Sequence, residues 1–128
     1  MPTPAALPRW LDLREQPAPA GDRTIDGRAC RTRAGLFAEL ARALAFPPHF
    51  GRNWDACADC LRDAVQADPV LTVGHAEDLL AAEPHHLPVL LDIVSVLVRD
   101  TPAVTLALHP SPPYAEEFVE RLRAATLE

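Results

Sequence analysis

The stretch Phe46-Pro47-Pro48-His49-Phe50-Gly51-Arg52-Asn53-Trp54-Asp55-Ala56-Cys57-Ala58-Asp59-Cys60-Leu61 reads as a loop that feeds a helix. Its two prolines close the element before it, because an interior proline loses a backbone hydrogen bond and its ring collides with the preceding turn. Gly51 supplies the freedom to take a positive φ. Asn53 is the expected N-cap, with a side-chain oxygen able to accept from the free amides of the next turn. From there Cys57, Cys60, Leu61, Ala64 and Val65 recur at helical spacing and mark a buried stripe. Trp54, Asp55, Ala58 and Asp59 fall off that stripe. Asp55 and Asp59 are four residues apart and therefore share a face, where two like charges add little stability but make a negative surface. An aromatic ring beside two carboxylates suits a cationic partner. A solvated acidic face is the alternative reading of the same pair.

Upstream, Asp22–Asp26 has the form of a brief strand centred on Ile25, turned by Asp26-Gly27. Thr32 then caps a helix carrying Leu36, Phe37, Leu40, Ala41 and Leu44, which ends before Pro47. Residues 1–21 are rich in Pro, Ala and charge; one apolar cluster, Leu7, Trp10, Leu11 and Leu13, is placed as arm or edge decoration docked on the body. Downstream, Asp68-Pro69 ends the second helix near Ala67, and Val70–Val73 is a run of β-formers closed by Gly74. A short helical turn over Ala76–Ala82 precedes a longer helix with Leu87, Leu90, Leu91, Val94, Leu97 and Val98 on a wide apolar face. Val104–Leu108 is the third strand. Ser111-Pro112 opens a terminal helix lined by Tyr114, Phe118 and Leu122, with acids early and arginines late as the helix dipole favours. Strands separated by helices imply right-handed crossovers. The expected fold is α/β, a small three-stranded parallel sheet flanked by helices with an added C-terminal helix. The expected division is an N-terminal extension over 1–21, the main domain over 22–109 and a C-terminal extension over 110–128 packed on the same domain.

At 128 residues, 48% hydrophobic and 23% charged, the chain is sized for one domain. Its formal charge is −6, and its 12 Lys and Arg residues form no stripe, which argues against direct nucleic-acid binding and favours a basic protein partner. The Pro-containing N-terminus has no apolar run of the signal-peptide kind, and Leu87–Val98, interrupted by Pro88 and Asp92, is too short to cross a bilayer. Three cysteines make an odd count without a disulfide framework. A cytoplasmic monomer, free of membrane and cofactor, is the expectation.

Cys57-Ala58-Asp59-Cys60 matches C-x-x-C, which elsewhere serves redox or zinc chemistry. Here it lies a full turn inside a helix that follows a loop, and only Cys30 and scattered histidines could complete a metal set. Both cysteines are therefore assigned to the core; a thiol redox protein is the enzymatic alternative. His75, His85, His86 and His109 are expected as solvated loop residues, whereas His49, just before Phe50-Gly51, is a candidate contact. No nucleophile triad, phosphate loop or H-E-x-x-H motif is present, and Asp55 and Asp59 lack the partner base that acid–base catalysis needs. The reading is of a non-enzyme.

The pattern Gly51-Arg52-Asn53-Trp54-Asp55-Ala56-Cys57-Ala58-Asp59-Cys60-Leu61, after an aromatic Pro-loop and within this order of strands and helices, resembles the barstar family of ribonuclease inhibitors over about residues 22–109. The resemblance implies that loop and helix plug the active site of a basic, barnase-type extracellular ribonuclease, with acids standing in for RNA phosphate. By position, Asp59 is the main phosphate mimic and Asp55 supports it. Asn53 and Gly51 shape loop and cap, Trp54 and His49 supply packing contacts, and Phe50 and Ala58 complete the contact set. The family's first members carry a tyrosine at His49 and a tryptophan at Ala58. A further acid would fall near Val96, where Asp92 is the available substitute. A barstar-like interaction module with a non-nuclease partner is the alternative function.

Overall fold

The computed structural model describes residues 7–126. Two central strands, β3 (Val70–Gly74) and β4 (Thr105–His109), pair in parallel from Val70 opposite Thr105 to Gly74 opposite His109. On the far side of β3 lies β2 (Ile25–Asp26), with Ile25 opposite Val73. On the far side of β4 lies β1 (Leu11–Leu13), with Leu11 opposite Leu106. The sheet is thus entirely parallel, in the order β1-β4-β3-β2.

It has four strands, where three were expected. The extra one comes from the Trp10–Leu13 segment taken as decoration. Arg14 donates its backbone N–H to Leu108 and Trp10 accepts from Leu106, so the segment completes the open edge of β4 and buries Leu11. Three residues are too few for a period-2 pattern to register, and flanking prolines hid them.

Four helices cover the sheet: α1 (Arg33–Leu44), α2 (Trp54–Ala67), α3 (Leu87–Asp100) and α4 (Ala115–Thr126). Thr32 caps α1 by accepting from the Gly35 N–H, as its sequence predicts. Leu106, Ala107 and Leu108 are buried in succession, so β4 is covered on both faces, as central parallel strands require. Leu36, Phe37 and Leu40 of α1, Leu61 and Val65 of α2, Leu90 and Val94 of α3 and Phe118 and Leu122 of α4 complete one core.

Local boundaries differ from the sequence reading in four places. The strand expected over Asp22–Asp26 is confined to Ile25–Asp26, and the third expected strand starts at Thr105 and runs into His109. Of Ala76–Ala82 only Ala76–Asp78 is helical, as a 3-10 turn. A 3-10 turn over Pro112–Tyr114 precedes α4 and leaves Tyr114 exposed; Ser111 makes no side-chain cap, and its N–H donates to Glu77 Oε1. The Arg121 guanidinium donates to the carbonyls of Glu77 and Leu79 at 2.9 and 2.8 Å, tying α4 to the segment after β3.

Candidate functional site

The α2 helix starts where the sequence places it. Asn53 has extended backbone (φ −134°, ψ 170°), its Oδ1 accepts from Ala56 N–H at 2.8 Å, and its Nδ2 donates to the Gly51 carbonyl at 3.3 Å. The cap thus fixes loop and helix together. The positive φ, however, belongs to Arg52 (51°) and not to Gly51. Gly51 is needed for space instead: a Cβ there would sit 3.2 Å from the Asn53 amide nitrogen.

A chain of aromatic contacts seats the loop. Phe46 meets Phe50 edge-on at 5.0 Å, Phe50 meets Phe37 of α1 at 5.8 Å, and Phe37 meets Trp54 at 5.1 Å. Rings at these separations and near-perpendicular angles add stabilisation beyond the area they bury. Trp54 is half-buried, with His86 at 5.9 Å on another side. It is held by its neighbours and frames the helix start; Phe50 likewise points its packing inward. His49 is exposed at the loop tip.

Along α2, Asp55 and Asp59 are exposed and Ala58 is half-buried. Asp59 Oδ1 accepts from Arg62 Nη1 at 2.9 Å. Asp63, also exposed, continues the row by one more four-residue step. Sequence reasoning passed over it, although the 55, 59, 63 spacing was its signal. With Gly51, Asn53 and His49 the expected contact residues form one continuous stretch at the amino end of α2. Val96 is exposed on α3, and Asp92 opens on a groove that it shares with Pro8, Trp10 and Ala125.

The cysteines differ from one another. Cys57 and Cys30 are fully buried, but Cys60, assigned to the same stripe, is half-buried because it lies at the stripe's margin. Burial pushes the Cys57 thiol up to about 12, with Cys60 adding to the effect, and burial followed by the Glu39 and Asp26 charges does the same for Cys30. Burial, then Asp63 and Asp59, also raises Cys60. A reactive cysteine needs the opposite environment, one that favours thiolate. Among the described residues no three His, Cys, Asp or Glu side chains are grouped as a metal ion would need, and no helix is long and apolar enough to cross a membrane. His109 departs from the solvated-loop expectation: it ends β4, is buried, and its Nδ1 lies 2.7 Å from the Gln16 carbonyl.

A rigid, capped helix start with unburied carboxylates and no activated nucleophile is equipped to bind. Compared with known families, the chain matches the model described as Barstar (barnase inhibitor) over residues 21–109. No curated protein matches it.

Proposed function

The chain belongs to the barstar family, and on that premise we propose that it is a non-enzymatic inhibitor of a basic, barnase-type microbial ribonuclease. The loop from His49 and the first turns of α2 enter the nuclease active site. Asp59 takes the place of an RNA phosphate among the enzyme's cationic groups, and Asp55 adds a second negative charge. Asn53 and Gly51 hold loop and helix in register, while His49, Phe50, Trp54 and Ala58 line the contact. The single observation that carries this reading is the exposure of Asp55 and Asp59 on a helix start fixed by the Asn53 cap and the Phe37–Trp54 contact. Such preorganisation leaves little ordering cost at binding. The −6 charge favours steered encounter with a cationic enzyme, and a carboxylate desolvated against cations carries affinity. The inhibitor acts as a cytoplasmic monomer.

Isothermal titration against a panel of small basic ribonucleases tests the reading. We expect one nuclease to bind tightly and Asp59→Ala to weaken it by about 100-fold or more, the usual cost of removing one partner from a buried charge pair. Tight binding that survives Asp59→Ala would overturn the site.

A second reading keeps the surface and changes the partner: a protein-interaction module for a non-nuclease. Ala58, His49 and Val96 favour it, since they replace two rings and an acid that the family resemblance leads one to expect, and Asp59 already has Arg62 beside it. Affinity purification from the native host, with recovery of a partner lacking nuclease activity, would decide for this alternative.

A further inference from the structure

A cavity of about 640 Å³ opens at the carboxyl ends of β2, β3 and β4, and none of its lining residues comes from the 46–61 stretch. Crevices at this end of parallel strands are where open α/β sheets bind ligands. The segment Glu15–Gly21 forms its roof, and the roof is fixed. Its Gln16 carbonyl meets His109 Nδ1 at 2.7 Å, its Pro19 carbonyl accepts from Thr24 Oγ1 at 2.8 Å, and Ala18 packs so close to Gly74 that a Cβ on that glycine would lie 3.1 Å away. At the lip, His75 has left-handed backbone (φ 47°, ψ 47°). That conformation is held because Gly27 leaves room for the His75 carbonyl, which would lie 2.2 Å from a Cβ at residue 27. Strained backbone that the surroundings over-determine is characteristic of ligand sites.

The polar groups of the cavity divide into those already satisfied and those left open. Arg28 is committed to Asp26 through Nε and Nη2, and its hydrogen bond holds the Asp26 carboxyl below its ordinary value. Arg42 is committed to Glu39 and to the carbonyls of Asp22 and Thr24. The cations are therefore taken. Three acceptors remain. The Glu15 carboxylate makes no hydrogen bond or ion pair among the described residues, and Ser111 Oγ has only a 3.5 Å approach to His75. The third is His109, which is 6% exposed. Its Nδ1 faces a carbonyl and must carry the proton in the neutral ring, so Nε2 presents a lone pair, and no described residue donates to it. A buried acceptor without a donor is costly, and a ligand N–H relieves that cost. The walls around these acceptors are Pro17, Ala18, Pro110 and Pro112, which are apolar and flat.

From this arrangement we propose that the cavity binds a primary ammonium group on a short aliphatic chain, the ammonium donating to His109 Nε2 and Glu15 and the chain lying on the proline walls. The site is separate from the α2 surface and does not depend on the identity of the ribonuclease partner.

Butylammonium is the probe, and 1-butanol, similar in shape and uncharged, is the comparison. Titration into protein with ¹⁵N-labelled histidine should give saturable binding with a shift at His109 Nε2, at least about tenfold weaker binding of butanol, and a matching rise in thermal stability. Glu15→Gln, at an exposed position, should fold normally and lose at least about tenfold in butylammonium affinity, the scale of one charged hydrogen bond. Saturation without a His109 Nε2 shift, equal affinity of Glu15→Gln, equal binding of butanol, or no saturation up to about 10 mM would each overturn the proposal.

Discussion

Across one turn of α2, Asp59 accepts a 2.9 Å hydrogen bond from Arg62, so the carboxylate at the centre of the acidic face already has a cation beside it. The pair is open to water, with side chains 75% and 49% exposed, and such pairs contribute only about 0.2–1 kcal/mol. Its consequence for binding is larger than for folding. A basic partner must displace Arg62 from Asp59 and also meets the charge of Arg62 itself. Arg62→Ala should therefore raise affinity for a cationic partner about three- to tenfold, chiefly through a faster on-rate at low salt, with stability changed by less than about 0.5 kcal/mol. Stopped-flow association at two ionic strengths reads this directly; a slower on-rate would mean that Arg62 contributes to the contact.

At the other end of the aromatic loop, Ala45 has left-handed backbone (φ 56°), where it ends α1 while the Phe46 N–H returns to the Ala41 carbonyl at 3.1 Å. This is the closing geometry in which glycine is preferred, because a Cβ there crowds the backbone. Ala45→Gly should stabilise the fold by about 0.5 kcal/mol, the relief of strain outweighing the greater freedom of glycine in the unfolded chain. Urea denaturation with an unchanged slope would confirm it, and a loss of stability would show that the turn is not strained.

What the chain discloses before folding follows from how local each signal is. The Asn53 cap, the start of α2 and the end of α1 before Pro47 rest on chemistry within four or five residues, and all three are where the sequence puts them. β1 depends on β4, almost a hundred residues away, and three residues between prolines carry no pattern of their own. His109 looks like a loop histidine until β4 extends one residue further and Gln16 closes over it. At the candidate site the residue types were legible, but two side-chain relations were not. Trp54 is pinned by Phe37 and His86 from other elements, and the Asp59–Arg62 pair was passed over in favour of the acids alone. The positive φ fell on Arg52 because Gly51 is needed for clearance beside the cap amide.

Glu39 is buried on α1, where it accepts from Arg42 Nε and Nη2 and from the Asp26 backbone N–H at 2.7 Å. The Arg42 hydrogen bonds lower its pKa below the ordinary 4.5; burial opposes them, and the Asp26 N–H adds to the lowering. A carboxylate depressed in the folded state stabilises fully above its unfolded value, and the contribution disappears as pH falls through the folded value. Glu39→Gln should therefore cost about 1–3 kcal/mol at pH 7, the range for hydrogen bonds to a charged group. The difference from the unmutated protein should shrink steadily below pH 4.5. Thermal unfolding from pH 7 to pH 3 measures both, and a gap that stayed constant with pH would refute the role of the ionised carboxylate.

The three thiols should separate by accessibility and ionisation, and this bears on whether Cys57-Ala58-Asp59-Cys60 does redox chemistry. With Cys30 and Cys57 buried and pushed up to about 12, their thiolate fraction at pH 8 is roughly a thousandfold below that of a free cysteine, from ionisation alone. Cys60 is reachable but also raised, by burial and by Asp63 and Asp59. In the folded protein iodoacetamide should therefore modify Cys60 first, more slowly than a free thiol. Cys30 and Cys57 should label together, at a rate set by unfolding, and urea should accelerate both in parallel with the loss of structure. Peptide mass spectrometry over the time course distinguishes the sites. Rapid labelling of Cys57 in the folded state, or formation of a Cys57–Cys60 disulfide under mild oxidant, would restore the redox reading that burial argues against.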